Sequence, residues 1–202
     1  MSPRPGLRAA TATLLASLAL AASPARAHVI PDPRVLVIVV TPAGLEIRVN
    51  DMGQPGDDSA STRRRFDVNR DGKLDDSERS DLASFLVARA TGNLRVSQDG
   101  KVLALKERSR ALHGVEKGIE ASDAISIDVV LDATPQAAKD GTVSATIGDW
   151  RADGHAVRAA VLAQGGAVLR KSTLGSLEPA DAATVATGIS LDRDQTVTLT
   201  WR

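Results

Sequence analysis

The chain predicts an α+β fold that is mainly β: a β-sandwich-like domain interrupted once by a helix–loop–helix insertion. Three observations predict it. Short β-branched, apolar segments recur along the chain and are bounded by glycine- and proline-containing turns. One stretch, residues 57–91, changes to helical spacing. Cysteine is absent, so an apolar core rather than disulfides must hold the domain together.

Residues 1–27 read as a secretory signal peptide. Arg4 and Arg8 supply a positive start, Ala9 to Ser23 is an apolar stretch too short for an ordinary membrane span, and Ala25-Arg26-Ala27 is a small-residue cleavage site. The expected location is therefore periplasmic or secreted. No cysteine is present to carry a lipid anchor, and no later apolar run is long enough to span a membrane. Residues 28–202 are then one domain of about 175 residues, enough to bury most of its surface. The chain has 25 basic and 25 acidic side chains, but Arg4, Arg8 and Arg26 lie in the leader, which has no acid. The remainder is weakly acidic and lacks clustered basic and aromatic residues, which argues against a nucleic-acid partner.

From Arg34 the strands begin. Val35 to Thr41 is β-branched, Pro42-Ala43-Gly44 is a turn and Leu45 to Asn50 alternates, which predicts a hairpin. Gly53, Pro55 and Gly56 end it. A short helix follows, capped by Asp57 or Asp58 and running about two turns through Ser61 to Phe66. Its Arg63-Arg64-Arg65 run reads as a solvated helix face, able to offset nearby negative charge. In the second helix Leu82, Phe85, Leu86 and Ala90 share one face and read as core. Strands resume with Leu94 to Gln98, an Asp99-Gly100 turn and Lys101 to Leu105, a second hairpin. Further strands are expected over Ala124 to Leu131, Thr142 to Gly148, Ala156 to Ala163, Ala167 to Ser172 and Thr196 to Trp201. Gln164-Gly165-Gly166 reads as the turn of a hairpin between two of them. Trp150 and Trp201 are expected in the core or at its rim.

The most specific stretch lies between the two helices. Residues 67–78 read DVNRDGKLDDSE, with Asp67, Asn69, Asp71, Asp75 and Glu78 at positions 1, 3, 5, 9 and 12, and Gly72 and Lys73 at 6 and 7. Calcium is a hard cation that takes roughly 6–8 oxygen ligands at about 2.3–2.6 Å, and a short chain supplies that many only by curling around the ion. Asp67, Asn69 and Asp71 are spaced to point inward, and Lys73 offers its backbone carbonyl while its side chain faces water. Asp75 acts directly or through a water, Glu78 closes the shell with both oxygens, and Gly72 supplies the sharp turn. A solvated, Asp-rich turn is the plain alternative. It would have to meet all these positions by chance, with apolar Phe66 and Leu74 beside them.

Asp67 to Leu82 resembles the EF-hand calcium-binding family, including the apolar residue four places after the last Glu. The resemblance implies calcium as the ion and Asp67, Asn69, Asp71, Lys73, Asp75 and Glu78 as its ligands. With its flanking helices, residues 57–91, it covers about a sixth of the chain. Hands of this family usually occur in pairs, and this sequence offers no second one. Asp149 to Ala160 has Arg151 and Ala160 at ligand positions, and the stretch from Asp192 has Val197 in place of glycine. DVNRDGKL also resembles dockerin modules, which need two copies where this chain has one. A lone hand must be braced by the rest of the domain or by a second molecule.

A second resemblance suggests context. Ala27-His28, the Val35 to Asn50 hairpin, and Leu94-Arg95-Val96 with Asp99-Gly100-Lys101 look like periplasmic components associated with metal-ion transport, including extracytoplasmic segments of nickel and cobalt permease-like proteins. Cleavage after Ala27 would expose His28, whose α-amine and imidazole form a chelate suited to copper or nickel. The alternative function is thus a transition-metal accessory or transport-associated protein. An ordinary exposed terminus accounts for His28 as well, and His113 and His155 show no ligand spacing. Nucleophile-elbow, phosphate-loop, dinucleotide and zinc-protease motifs are all missing. The expectation is a calcium-binding protein with a possible protein partner in the cell envelope, and not an enzyme.

Overall fold

The computed structural model describes residues 34–149, 157–174, 186–191 and 196–202, with the backbone alone for 186–191. The signal-peptide reading, His28, Trp150 and His155 lie outside the described residues. Strands β1 (Arg34–Thr41) and β2 (Gly44–Met52) lead into helices α1 (Asp57–Phe66) and α2 (Asp76–Thr91). Then come β3 (Arg95–Gln98), β4 (Lys101–Val102), β5 (Lys106–His113), β6 (Ser126–Ala133) and β7 (Val143–Gly148). The chain ends with β8 (Val157–Ala163), β9 (Leu169–Ser172), β10 (Ala186–Leu191) and β11 (Val197–Trp201).

These strands form two sheets, one in the order β10-β8-β1-β2-β6-β5 and the other β4-β3-β7-β11-β9. The fold is α+β and mainly β, with the helices inserted between β2 and β3. The β1–β2 hairpin turns on Pro42 and Ala43, pairing Thr41 with Gly44. A Cβ on Gly44 would sit 2.6 Å from the Ala133 carbonyl oxygen, so glycine lets β2 and the end of β6 lie side by side. Along β2 the alternation is regular. Leu45, Ile47 and Val49 are buried while Glu46, Arg48 and Asn50 face outward. Ile127, Val129 and Leu131 of β6 do the same, as do Val143, Ala145 and Ile147 of β7 and Val197, Leu199 and Trp201 of β11. Both sheets feed one buried cluster. Trp201 is fully buried in it and donates its indole N–H to the Thr41 carbonyl at 3.0 Å, tying the two sheets directly.

Several expectations are corrected. The Gln164-Gly165-Gly166 turn does not close a hairpin, because β8 runs parallel to β1 in one sheet while β9 pairs with β11 in the other. The connection crosses between layers. Neither β5 nor β10 is expected from the sequence. Apart from half-buried Leu112, β5 is exposed along its length, so it carries no burial pattern to read. The second hairpin forms as expected, but β4 ends at Val102 rather than Leu105. On α2, Leu82, Leu86 and Ala90 are buried, but Phe85 is 37% exposed; its ring packs on Phe66, 5.5 Å between centroids. Helix α1 is capped by Gly56, with no side-chain cap, so Asp57 and Asp58 lie inside its first turn, where they complement the helix dipole.

The inserted helices are anchored by charge as well as by packing. Asp51 occupies an inward position of β2 and is 3% exposed. It pairs with Arg34, directly across on β1, at 3.2 Å, and with Arg89 of α2 at 2.9 Å. On the outer face of the same sheet Glu46 accepts hydrogen bonds from Arg48 and Arg108. Burial pushes the Glu46 carboxyl up, but the hydrogen bonds and charges of Arg108 and Arg48 outweigh it and hold it below its ordinary value of 4.5. A carboxylate with a depressed folded-state pKa stabilises the fold above its unfolded value and loses that contribution as pH falls through the lower, folded one. Denaturant midpoints measured downward from pH 6 should therefore decline below about pH 4.5, and less steeply in Glu46→Gln.

The candidate calcium loop

Asp67–Glu78 joins α1 to α2, and its sequence dictates how it turns. Gly72 has φ +83°, in the left-handed region that glycine enters without strain, and Arg70 beside it has φ +59°. The side-chain oxygens at the odd positions fold back onto the loop's own amides. Asp67 accepts the Asp71 and Gly72 N–H groups through its two oxygens, each at 3.1 Å. Asn69 Oδ1 accepts the Asp71 N–H at 2.9 Å, and Asp71 Oδ1 accepts the Lys73 N–H at 2.9 Å. Such short-range side-chain-to-backbone bonds are what make Asp and Asn turn formers.

Glu78 closes the ring. Its Oε1 accepts the Val68 N–H at 2.7 Å and the Asn69 N–H at 3.2 Å, and its Oε2 accepts the Asp75 N–H at 3.0 Å. Asp75 in turn caps α2, its Oδ1 accepting the Glu78 N–H at 2.9 Å, so the two form a reciprocal capping box. The last residue of the loop thus reaches back to the first turn while starting the next helix. Asp67 and Glu78 are each 6% exposed, whereas Asn69, Asp71, Lys73 and Asp75 face solvent. Leu74 is buried beneath the loop.

All six expected ligand residues therefore lie on one curled segment. The donors are oxygens only, the set a hard cation takes and a soft one does not. Among the described residues, however, no three His, Asp or Glu side chains stand together closely enough to hold a metal ion. Glu78 has three acceptor contacts where a carboxylate has about four lone-pair sites. Oxygen donors of this kind are what calcium takes.

Arg63 overturns the solvated reading of the arginine run. It is fully buried, and its guanidinium donates to the backbone carbonyls of Ala121 at 2.6 Å, Asp123 at 2.9 Å and Gly114. Burial pushes its pKa down, against the raising pull of Asp123 and Glu116. The available signal was spacing: Ser59 and Ala60, one turn earlier on the same buried face, leave room for a long side chain. Its neighbours do face outward, Arg64 pairing with Glu120 at 2.7 Å and Arg65 lying 5.3 Å from the Phe85 ring centre. His113, the one described histidine, is exposed on β5, with Nε2 at 2.9 Å from Asp128 Oδ2. Among the described residues no helix is long and apolar enough to cross a membrane. No protein-family model matches the chain, and no curated protein proves similar to it.

Proposed function

We propose that this is an exported calcium-binding protein whose single EF-hand takes calcium mainly for structure, fixing the angle of α2 and so organising a surface for a partner in the cell envelope. The observation that carries this reading is the ordered set of oxygen donors at Asp67, Asn69, Asp71, Lys73, Asp75 and Glu78, with Glu78 reaching back to the start of the loop. The structural role follows from anchoring. The ion pair from Arg89 to Asp51 and the burial of Leu82 and Leu86 hold α2 on the sheet, which opposes a wide helix swing. Extracellular hands bind at about 10⁻⁴–10⁻³ M, a level that exported proteins meet.

Calorimetric titration of chelator-treated protein tests it. Calcium uptake is expected in the submillimolar to millimolar range, with magnesium weaker. Glu78→Gln should weaken calcium at least about tenfold, because ligand charge count sets affinity. The fold should survive, since glutamine can still complete the capping box. No calcium uptake at millimolar concentration overturns the reading. Tight copper or nickel binding that vanishes when the amine of His28 is blocked would replace it with the transition-metal role.

A further inference from the structure

We infer that the connection between β5 and β6, Gly114–Asp123, acts as the partner that a lone hand lacks, so that its order and calcium binding are thermodynamically coupled. This rests on the calcium reading above and adds to it where the ion's effect is felt. One strip of irregular chain holds the entering helix at both ends and the loop at its middle. At the start of α1, the Gly56 N–H donates to the Ser122 carbonyl at 2.7 Å. Near its end, Arg63 spans the carbonyls of Gly114, Ala121 and Asp123. At the loop itself, the Ile119 N–H donates to the Gly72 carbonyl at 3.2 Å.

That last bond sits where it matters. The Gly72 carbonyl and the Lys73 N–H belong to one planar peptide unit. Ile119 holds its oxygen and Asp71 Oδ1 holds its N–H, so the plane is fixed at both ends. The next carbonyl along the chain is that of Lys73, the expected main-chain ligand. The strip runs close to the loop here, since a Cβ on Gly118 would lie in contact with the Gly72 oxygen at 3.4 Å. The strip itself has neither helix nor strand. Val115 is buried, but Glu116, Lys117, Gly118 and Glu120 are exposed, so α1 and the loop do much of the ordering. Because coupling between two equilibria is reciprocal, a strip that pre-positions the loop for calcium must itself be steadied when calcium binds. The calcium-responsive surface is then this exposed strip rather than a cleft opened between the helices.

Amide hydrogen exchange of the intact exported protein, with and without calcium, tests the coupling alongside calorimetry of variants. Calcium should slow exchange at Ile119 about tenfold or more, and Glu78→Gln should abolish that slowing. Ile119→Pro, which removes the donor, should weaken calcium roughly three- to tenfold, the effect of one hydrogen bond. Arg63→Lys, which keeps the charge but loses the fork, should weaken it in the same direction. Wild-type protein that binds calcium with unchanged Ile119 exchange, or an Ile119→Pro variant that binds as tightly as wild type, overturns the coupling and leaves the calcium reading standing. Failure of the wild type to bind calcium removes both. The exchange measurement needs no substitution in the strip, so a variant that does not fold leaves it decisive.

Discussion

Asp51→Asn is expected to cost about 3–5 kcal/mol of folding stability, the effect of breaking a buried ion pair from one side. Asp51 and Arg34 are both nearly excluded from solvent, their side chains each 4% exposed, and Arg89 is partly covered. Removing the shared carboxylate charge takes an ion-pair partner from the buried Arg34 guanidinium and from Arg89 of α2. The wild-type triad need not itself be strongly stabilising, because burying charges costs most of what their attraction returns. The two ideas separate experimentally. Asp51→Asn alone should unfold at much lower denaturant, and replacing Arg34, Asp51 and Arg89 together by leucine or methionine should recover part of that loss. If the single and triple variants lose the same amount, the triad is not an uncompensated-charge device. Calcium offers a second readout. Arg89 lies in the last turn of α2, while Leu82 and Leu86 still pack its Glu78 end, so affinity should fall less than stability.

The sequence exposes features in proportion to how local their physics is. The β1–β2 hairpin is readable because Val35 to Thr41 and Leu45 to Asn50 flank a short proline turn, and partner and pattern lie within twenty residues. The loop is readable for the same reason: each of its side chains answers to an amide at most ten residues away. The pairing of β8 is different. Its neighbours β1 and β10 are set by long-range contacts, and Gly165-Gly166 looks the same locally whether the chain turns back or crosses to another sheet. Edge strand β5 hides because Lys106, Glu107, Arg108 and Arg110 are all exposed, leaving no burial alternation. Arg63 hides within a run of three arginines because its partners are backbone carbonyls, which any sequence supplies. The tight turn of residues 67–78 was therefore legible, while the Gly114–Asp123 strip hydrogen-bonded to it was not.

Trp201→Ala is expected to lower stability by about 3–5 kcal/mol, the range for removing a large aromatic from a packed core. The side chain is fully enclosed, and β11 lies between β7 and β9, so the cavity would open beside an interior strand of one sheet and against β1 of the other. For a domain of this size each kcal/mol moves the melting temperature by roughly 2–4 °C, so a fall of about 10 °C is expected. Trp201→Phe separates packing from the hydrogen bond. It keeps most of the apolar surface and removes only the indole donor to Thr41, so it should cost about 1 kcal/mol for the bond plus a smaller packing loss. A phenylalanine variant as damaged as the alanine one would mean that the inter-sheet bond, and not volume, is what Trp201 contributes. Calcium binding gives the complementary control. Trp201 donates its hydrogen bond to Thr41 of β1, and none of the bonds that hold α1, α2 or the Gly114–Asp123 strip runs through it. Its loss should therefore lower stability while leaving affinity, measured well below the melting temperature, nearly unchanged. That outcome would place the sheet core and the calcium loop in separate energetic units, and a matching loss of affinity would show that the loop depends on the whole sandwich for its shape.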